Sequence, residues 1–463
     1  MKDVFLSVIC NGIALCSSLV FVFVLPKFID VEGYGYWQLF MFCFSYIGIF
    51  HCGISDGIFI RYLGKKIDYV RDSSAGLEIL ISTGIATVFA ALVSFICFKN
   101  DFNRDILLAI ICLVPFVHFN LGIEFILQAT FNIKLSAKIR IWQNTLLLIL
   151  LSICLMTKII STQICMVIFA LSHIFATIWF YAVYVKKIKN TYHTNVACLI
   201  NNIKIDLATG VKLLIANVSS TLILGVLRFS IIQIWTIAQF GMMSLVISLC
   251  NFMITFINAI SIVILPKIRN MTILERRTSF YNAKIIIGTL CCFCVLFVYP
   301  VSFFIEYWLP QYNGVISYLY IMFPVFFFEC RVSLLINSFL KSIGKESALL
   351  QGNLVSVFVA IVFAISIKYF NSLTLAAVSI LLSLAFRGCF LEYLLNKALN
   401  VEFGKINLIL TAFVLAFSLL SLFVPRDYKS FLSIIIILPL VCVFPSFMKS
   451  INDFLLVLKT TKK

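Results

Sequence analysis

Two sets of polar residues interrupt the apolar runs of this 463-residue chain at the four-residue spacing that places side chains on one helix face. Asn120, Glu124 and Gln128 form one stripe; Glu329, Ser333, Asn337 and Lys341 form the other. Three arginines also sit inside apolar runs: Arg228, on a face with Asn217, Thr221 and Gly225; Arg331; and Arg387, on a face with Ser379 and Ser383. A guanidinium stays charged at any working pH and grips phosphate through two parallel hydrogen bonds. Charged groups at lipid depth need a partner or a wet cavity. The chemistry this pattern suits is non-covalent binding of an anionic head group. Arg228, Arg331, Arg387 and Asn337 would contact it, and Asn120, Glu124, Gln128 and Glu329 would line the cavity or couple to an ion. The same residues have a structural use as well. The stripes can serve interhelical hydrogen bonds, Arg331 can pair with Glu329 or Glu124, and Arg387 can pair with Glu392. Glu329 and Arg331 are two residues apart and point to nearly opposite faces of one helix, so each needs its own partner.

The elements that must position these groups are membrane helices. Hydrophobic residues make up 62% of the chain and charged residues 12%, about half the charged share of an ordinary soluble domain. Apolar runs separated by charged, proline or glycine breaks give fourteen spans: 4–25, 37–56, 77–98, 106–130, 140–157, 162–185, 208–229, 240–265, 283–305, 315–340, 349–368, 373–396, 406–424 and 430–448. The first is too long for a removable signal peptide and lacks its cleavage site. The expected fold is an all-α polytopic membrane protein. A six-helix lobe (1–200) and a second six-helix lobe (201–400) are followed by two extra helices and a short basic tail (401–463).

The net charge of +17 does not mark a nucleic-acid partner, because the basic residues are dispersed over short loops instead of forming one patch. Of the 36 Lys and Arg residues, 26 fall at the termini and in even-numbered loops and 8 in or beside odd-numbered loops. By the positive-inside rule both termini are cytoplasmic. The longest loop, about Lys186 to Leu207, is too small for a catalytic domain, which weighs against a membrane-embedded enzyme of glycan assembly. The cysteines sit almost all inside apolar runs, where they behave as small hydrophobes, and no metal or cofactor motif is present. His51, His118 and His173 read as hydrogen-bonded packing residues.

Two local features shape the first lobe. Leu25–Leu39 contains Pro26, Gly33, Gly35, Tyr34, Tyr36 and Trp37, and it reads as a tight interfacial hairpin between spans 1 and 2. In Gly53-Ile54-Ser55-Asp56-Gly57 the glycines permit a bend, and Asp56 with Arg61 would latch an inward gate. An internal repeat ties the lobes together. At an offset of about 206, Asn217 falls on Asn11, Gly241 on Gly35 and Ile260-Ser261 on Ile54-Ser55; at 205, Glu329 falls on Glu124 and Asn337 on Asn132. Six spans per copy keep the copies in one orientation, as in transporters that rock two halves about a central site.

The hairpin, the Gly-Ile-Ser-Asp-Gly stretch with Arg61 and Lys65, and the Leu335-Ile336-Asn337-Ser338-Phe339-Leu340-Lys341-Ser342 end of span 10 resemble the polysaccharide-transporter family, which includes Wzx-type O-antigen flippases. The resemblance covers essentially the whole chain. It implies membership of the superfamily shared with multidrug extruders and lipid II flippases. The implied activity is flipping an undecaprenyl-diphosphate-linked oligosaccharide across the bacterial inner membrane by alternating access. The implied partners are that lipid-linked substrate, membrane lipid, a polysaccharide polymerase and a chain-length regulator. An ion-coupled multidrug-type extruder is the alternative. Span 1 lacks the acid many such extruders carry there, and spans 1 and 2 have no arginine before Arg61, where a lipid II flippase would be strongly basic.

Overall fold

The structure, a computed structural model, describes residues 12–13, 15–99, 103–189, 196–269, 273–401 and 405–460. Asn11 of the repeat, Lys2, Asp101 and Asn195 lie outside them. The described residues are almost all helical, joined by short turns, with no strand among them. Lipid offers no hydrogen-bond partner, so each backbone amide must be satisfied within its own helix.

The chain folds as two compact units, residues 1–218 and 219–463. Unit 1 holds α1 (Leu15–Phe28), α2 (Val31–His51 and Ile54–Tyr62), α3 (Ala75–Lys99), α4 (Arg104–Ala129), α5 (Ile133–Thr157), α6 (Thr162–Ile188) and the start of α7 (Val196–Ile234). Unit 2 holds the rest of α7, then α8 (Ile237–Arg269), α9 (Ile273–Val295 and Val298–Trp308) and α10 (Ile316–Met322 and Val325–Ser342). After these come α11 (Glu346–Phe370), α12 (Leu373–Leu399), α13 (Lys405–Leu420) and α14 (Ser433–Thr460). Ten of these helices are long and apolar enough to cross a bilayer, two more are bent pairs, and α1 and α13 are shorter apolar helices. Among the described residues each of the fourteen expected spans therefore overlaps helix, residues 4–11 of the first lying outside them, and the chain is a multi-pass membrane protein. The outward faces are apolar: Val88, Leu92, Phe95 and Ile96 of α3 and Phe358, Val362 and Ile365 of α11 are exposed, as lipid-facing side chains are.

Short polar caps end the apolar runs. Asn103, Ser161 and Ser372 each accept a hydrogen bond from the backbone N–H three residues on, at 3.2, 3.3 and 3.3 Å, opening α4, α6 and α12. Lys158, Asn371 and Asn400 close α5, α11 and α12 in the left-handed conformation.

Four local expectations change. The Leu25–Leu39 stretch is not an open hairpin: α1 continues to Phe28, the break is at Ile29–Asp30, and Gly33 and Gly35 lie within α2. Gly33 is needed for close approach. A Cβ there would stand 2.6 Å from Asp30 Oδ1 and 3.0 Å from Thr162 Oγ1, and the Thr162 hydroxyl donates to the Gly33 carbonyl at 2.9 Å. Tyr34 and Trp37 are buried instead of interfacial: Gln38 Nε2 donates to the Tyr34 hydroxyl at 2.7 Å, and Trp37 stacks on Phe21 at 4.9 Å. The 186–207 segment is in large part helix, because α7 runs unbroken for 39 residues. That is about 58 Å at 1.5 Å per residue, well beyond a bilayer core of about 30 Å. Finally, α10 is not straight. It bends by 49° at the Phe323–Pro324 break, where proline removes a backbone donor. The bend expected at Gly53 is present: α2 turns by 63° there, with Cys52 at φ 52° and Gly53 at φ 88°.

Each unit has its own core. In unit 1, Ile123, Ile126 and Leu127 of α4 pack with Ile79, Ala176, Phe180, Ile58 and Tyr62. In unit 2, Leu335 and Phe339 of α10 pack with Phe280 of α9 and Leu391 and Leu395 of α12. The two C-terminal helices are part of this unit: α14 packs along α9, and α13 packs on both.

Candidate functional site

In unit 2 Arg331, Glu392, Lys284, Arg387 and Glu329 are interior and form two sets on opposite sides of α10. On one side, Arg331 reaches Glu392 of α12, and its Nη1 donates to Thr411 Oγ1 of α13 at 3.0 Å. Lys284 of α9 meets the other oxygen of the same carboxylate at 2.6 Å, and Asn407 Nδ2 donates to it at 3.2 Å. All three charged groups are at most 4% exposed. One carboxylate thus holds two cations, with the Arg331 guanidinium 5.0 Å over the Phe327 ring. Buried ions at these distances hold one another in place, and removing one strands the rest.

On the other side, Arg387 of α12 binds Glu329 through Nη1, at 2.8 Å to Oε1 and 3.1 Å to Oε2, and its Nε donates to Asn353 Oδ1 of α11 at 3.1 Å. This leaves Nη2 outside those bonds. The Glu329 side chain keeps 17% of its surface, against 2% for Glu392. Glu329 also borders a small cavity of about 40 Å³ with Asn251, Met322, Val325 and Ile380. Ser379 and Ser383, two turns and one turn before Arg387, are buried with hydroxyls that have no hydrogen-bond partner. The pairing anticipated from sequence is exchanged: Arg331 takes Glu392 and Arg387 takes Glu329. The opposite-face rule for residues two apart holds, but it did not say which neighbour would be met.

The three arginines do not converge. Arg228 on α7 donates through Nη2 to Ser244 Oγ of α8 at 3.0 Å and lies 5.2 Å over the Phe240 ring. Asn337 lies half-buried beyond a wide helical turn at Val332–Ile336.

In unit 1 the α4 stripe bonds to neighbouring helices. Glu124 pairs with Arg140 of α5, whose Nε donates at 3.0 Å, and Gln128 Nε2 lies 3.5 Å from Glu124. Asn120 donates to the His173 carbonyl of α6 at 3.3 Å. The expected Asp56–Arg61 latch is not formed. Arg61 instead joins Glu78 of α3 and Asp206 of α7, the latter at 2.8 Å. Ser74 donates to Glu78 at 2.5 Å, and Asn202 donates to Ser74 at 2.8 Å. Asp56 is buried 3.7 Å from His51 Nε2. The crossing beneath is glycine-lined. A Cβ on Gly53 would stand 2.6 Å from the Val211 nitrogen, and one on Gly57 or Gly210 would overlap the backbone opposite. His118 and His173 bond to the carbonyls of Ile47 and Phe169 at 3.0 and 3.1 Å, the packing role expected of them.

Sequence reasoning missed Glu78, Asp206, Arg140 and Lys284 as members of these sets, counting the two bases as loop charges and leaving the two acids unassigned. Each lies within a few residues of an expected span edge. The signal available was an acid or base beside a span edge with no same-helix partner.

No protein-family profile matches the chain, and no curated protein does. Solved structures do match over nearly the whole length. A lipid II flippase, MurJ, in an inward closed conformation aligns with a TM-score of 0.64 at 13% identity, covering 97% of this chain and 99% of that one. A multidrug resistance MATE family transporter in an inward-facing conformation aligns at 0.60 and 13% identity, covering 84% and 94%. A MOP superfamily transporter from Pyrococcus furiosus aligns at 0.52 and 12%, covering 86% and 96%. At these identities the likeness is one of architecture: the chain has the fold of MOP superfamily transporters.

Proposed function

We propose that the protein is a bacterial inner-membrane flippase. It moves an undecaprenyl-diphosphate-linked oligosaccharide, an O-antigen unit or related repeat, from the cytoplasmic to the periplasmic leaflet by alternating access, with no enzymatic step. The observation that carries this reading is the Arg387–Glu329 pair. It is a charged pair at lipid depth with spare donor capacity, bordering a cavity, in a fold shared with transporters that include a lipid II flippase. Arg387 is the contact for the diphosphate, and Glu329 holds it until substrate competes. Arg228 and Asn337 serve the head group further along. Arg331 is held by Glu392 and orders the unit. Arg61 works as the gate through Glu78 and Asp206, with Asp56 beside His51. A polysaccharide polymerase and its chain-length regulator receive the product. Both termini are cytoplasmic, so reporters fused at Asp101, Asn313 and Asp427 report outside and those at Asn195 and Arg276 inside.

Complementation of a strain lacking the gene, with protein quantified, tests the reading. Arg387→Ala abolishes glycan export at normal protein level, and Arg387→Lys restores only part of it, because an ammonium lacks the two-pronged geometry. Normal export from Arg387→Ala overturns the reading. So does a loss of folded protein that Glu329→Ala repairs. The second reading, an ion-coupled extruder, draws on the largely apolar wall around Glu329. In that case Glu329→Gln uncouples drug efflux in cells and leaves surface glycan unchanged.

A further inference from the structure

A separate cavity of about 570 Å³ opens where α9 begins, a volume within the roughly 300–1,000 Å³ typical of small-molecule sites. Four helices of unit 2 build it: Arg277 and Asn282 come from α9, Asn400 from the end of α12, Ile406 from the start of α13, and Ser446 and Lys449 from α14. Among the described residues lining it, the charged ones are Arg277 and Lys449, both cations. Arg277 Nε is buried and has no hydrogen-bond partner. The remaining polar groups are neutral amides and hydroxyls able to donate. Apolar side chains share the lining: Ile285, Val401 and Ile406, with the ring of Tyr281, which is 45% exposed. None of the residues assigned to transport above lines this cavity.

We propose that this cavity binds a phosphate-bearing anion through Arg277 and Lys449, with the amides and hydroxyls taking the remaining phosphate oxygens. A guanidinium offers the paired donors a phosphate accepts, and a lysine adds a point charge. The apolar part of the lining places acyl chains beside the opening when the phosphate belongs to a lipid. This site lies outside the transport reading and stands without it.

Purified full-length protein in neutral detergent tests the proposal. The probes are phosphatidylglycerol, phosphatidylcholine and inorganic phosphate, read by native mass spectrometry and by the thermal unfolding midpoint. Phosphatidylglycerol binds and raises the midpoint, while phosphatidylcholine does neither. Inorganic phosphate giving the same shift assigns the site to free phosphate; no shift from it assigns the site to lipid. Arg277→Ala with Lys449→Ala weakens binding at least tenfold. Ser446→Trp, which fills the cavity and keeps both charges, does the same and decides the matter if the double variant folds poorly. Lys186→Ala with Lys187→Ala removes two charges elsewhere and changes nothing. Arg387→Ala leaves the affinity intact. Equal binding of the two lipids, or wild-type affinity in Ser446→Trp, overturns the proposal.

Discussion

Glu124 and Glu329 occupy matching places in the internal repeat, yet their surroundings differ. Glu124 pairs with Arg140 on the next helix, and the arginine side chain keeps 31% of its surface. Glu329 pairs with Arg387 two helices further on, and that arginine keeps 8%. The contrast extends to whole units. Unit 1 joins its charges near helix ends, where Arg61 follows the α2 bend and Glu78 opens α3. Unit 2 runs them through its interior, from Arg387 and Glu329 to Arg331, Glu392 and Lys284. The sequence offset that matches Glu124 to Glu329 therefore does not carry over to their electrostatics. A helix end is close to water and tolerates a charge cheaply, whereas an interior charge persists only where a partner is fixed. Bent helices differ likewise: glycine bends α2, and proline bends α10.

The contrast makes ordered predictions. The largest effect belongs to Glu392→Ala, which strands Arg331 and Lys284 and costs about 3–5 kcal/mol, the usual loss on breaking a buried pair. Fluorescence-detected size exclusion after a heating series should show little folded protein. If Glu392→Ala melts like wild type, the interior of unit 2 is not held by its charges. Next comes Arg61→Ala, which leaves two buried acids facing each other. Heat resistance should fall clearly, and Arg61→Ala with Glu78→Gln should recover part of it. A double variant no better than the single would deny that Arg61 is there to hold those acids. Gly57→Val forces the α2–α7 crossing apart, at about 1–3 kcal/mol for an overpacked contact, with a matching drop in midpoint. The smallest effect falls on Glu124→Gln, a partly exposed pair worth about 0–1 kcal/mol, with export retained. Glu329→Gln should impair export at near-normal stability, so equal behaviour of the two would erase the distinction between the matched acids.

Much of the fold was readable because lipid imposes one demand on every span. An apolar run of about 20 residues has to be helix, and the described part of each run is largely so. Turn chemistry was less readable. Gly53 and Gly33 look alike in sequence, but Gly53 takes a positive φ at a bend while Gly33 sits in ordinary helix to admit Thr162. A glycine serves either purpose, and only the neighbouring helix tells which. Site residues were half readable for the same reason. Arg331 and Arg387 stood out through their cost in lipid, but their partners depend on which helices adjoin. Lys284 and Asp206 sit near expected edges, where a charge looks ordinary.

The wide turn at Val332–Ile336 has a consequence for how α10 is phased. It holds one residue more than an α-helical turn, and at 3.6 residues per turn one residue is a rotation of about 100°. Side chains before it, Glu329 and Arg331, and those after it, Asn337 and Lys341, are therefore set on separate angular scales. The even four-residue rhythm of the sequence stripe does not survive as a straight line on the folded helix. Leu335, Phe339 and Leu340 are thereby aimed into the apolar core of unit 2 without dictating where the charges upstream must point. Deleting a single residue from this turn would bring the two scales back into step and swing one set of side chains off its partners, a larger disturbance than any one substitution in the stripe.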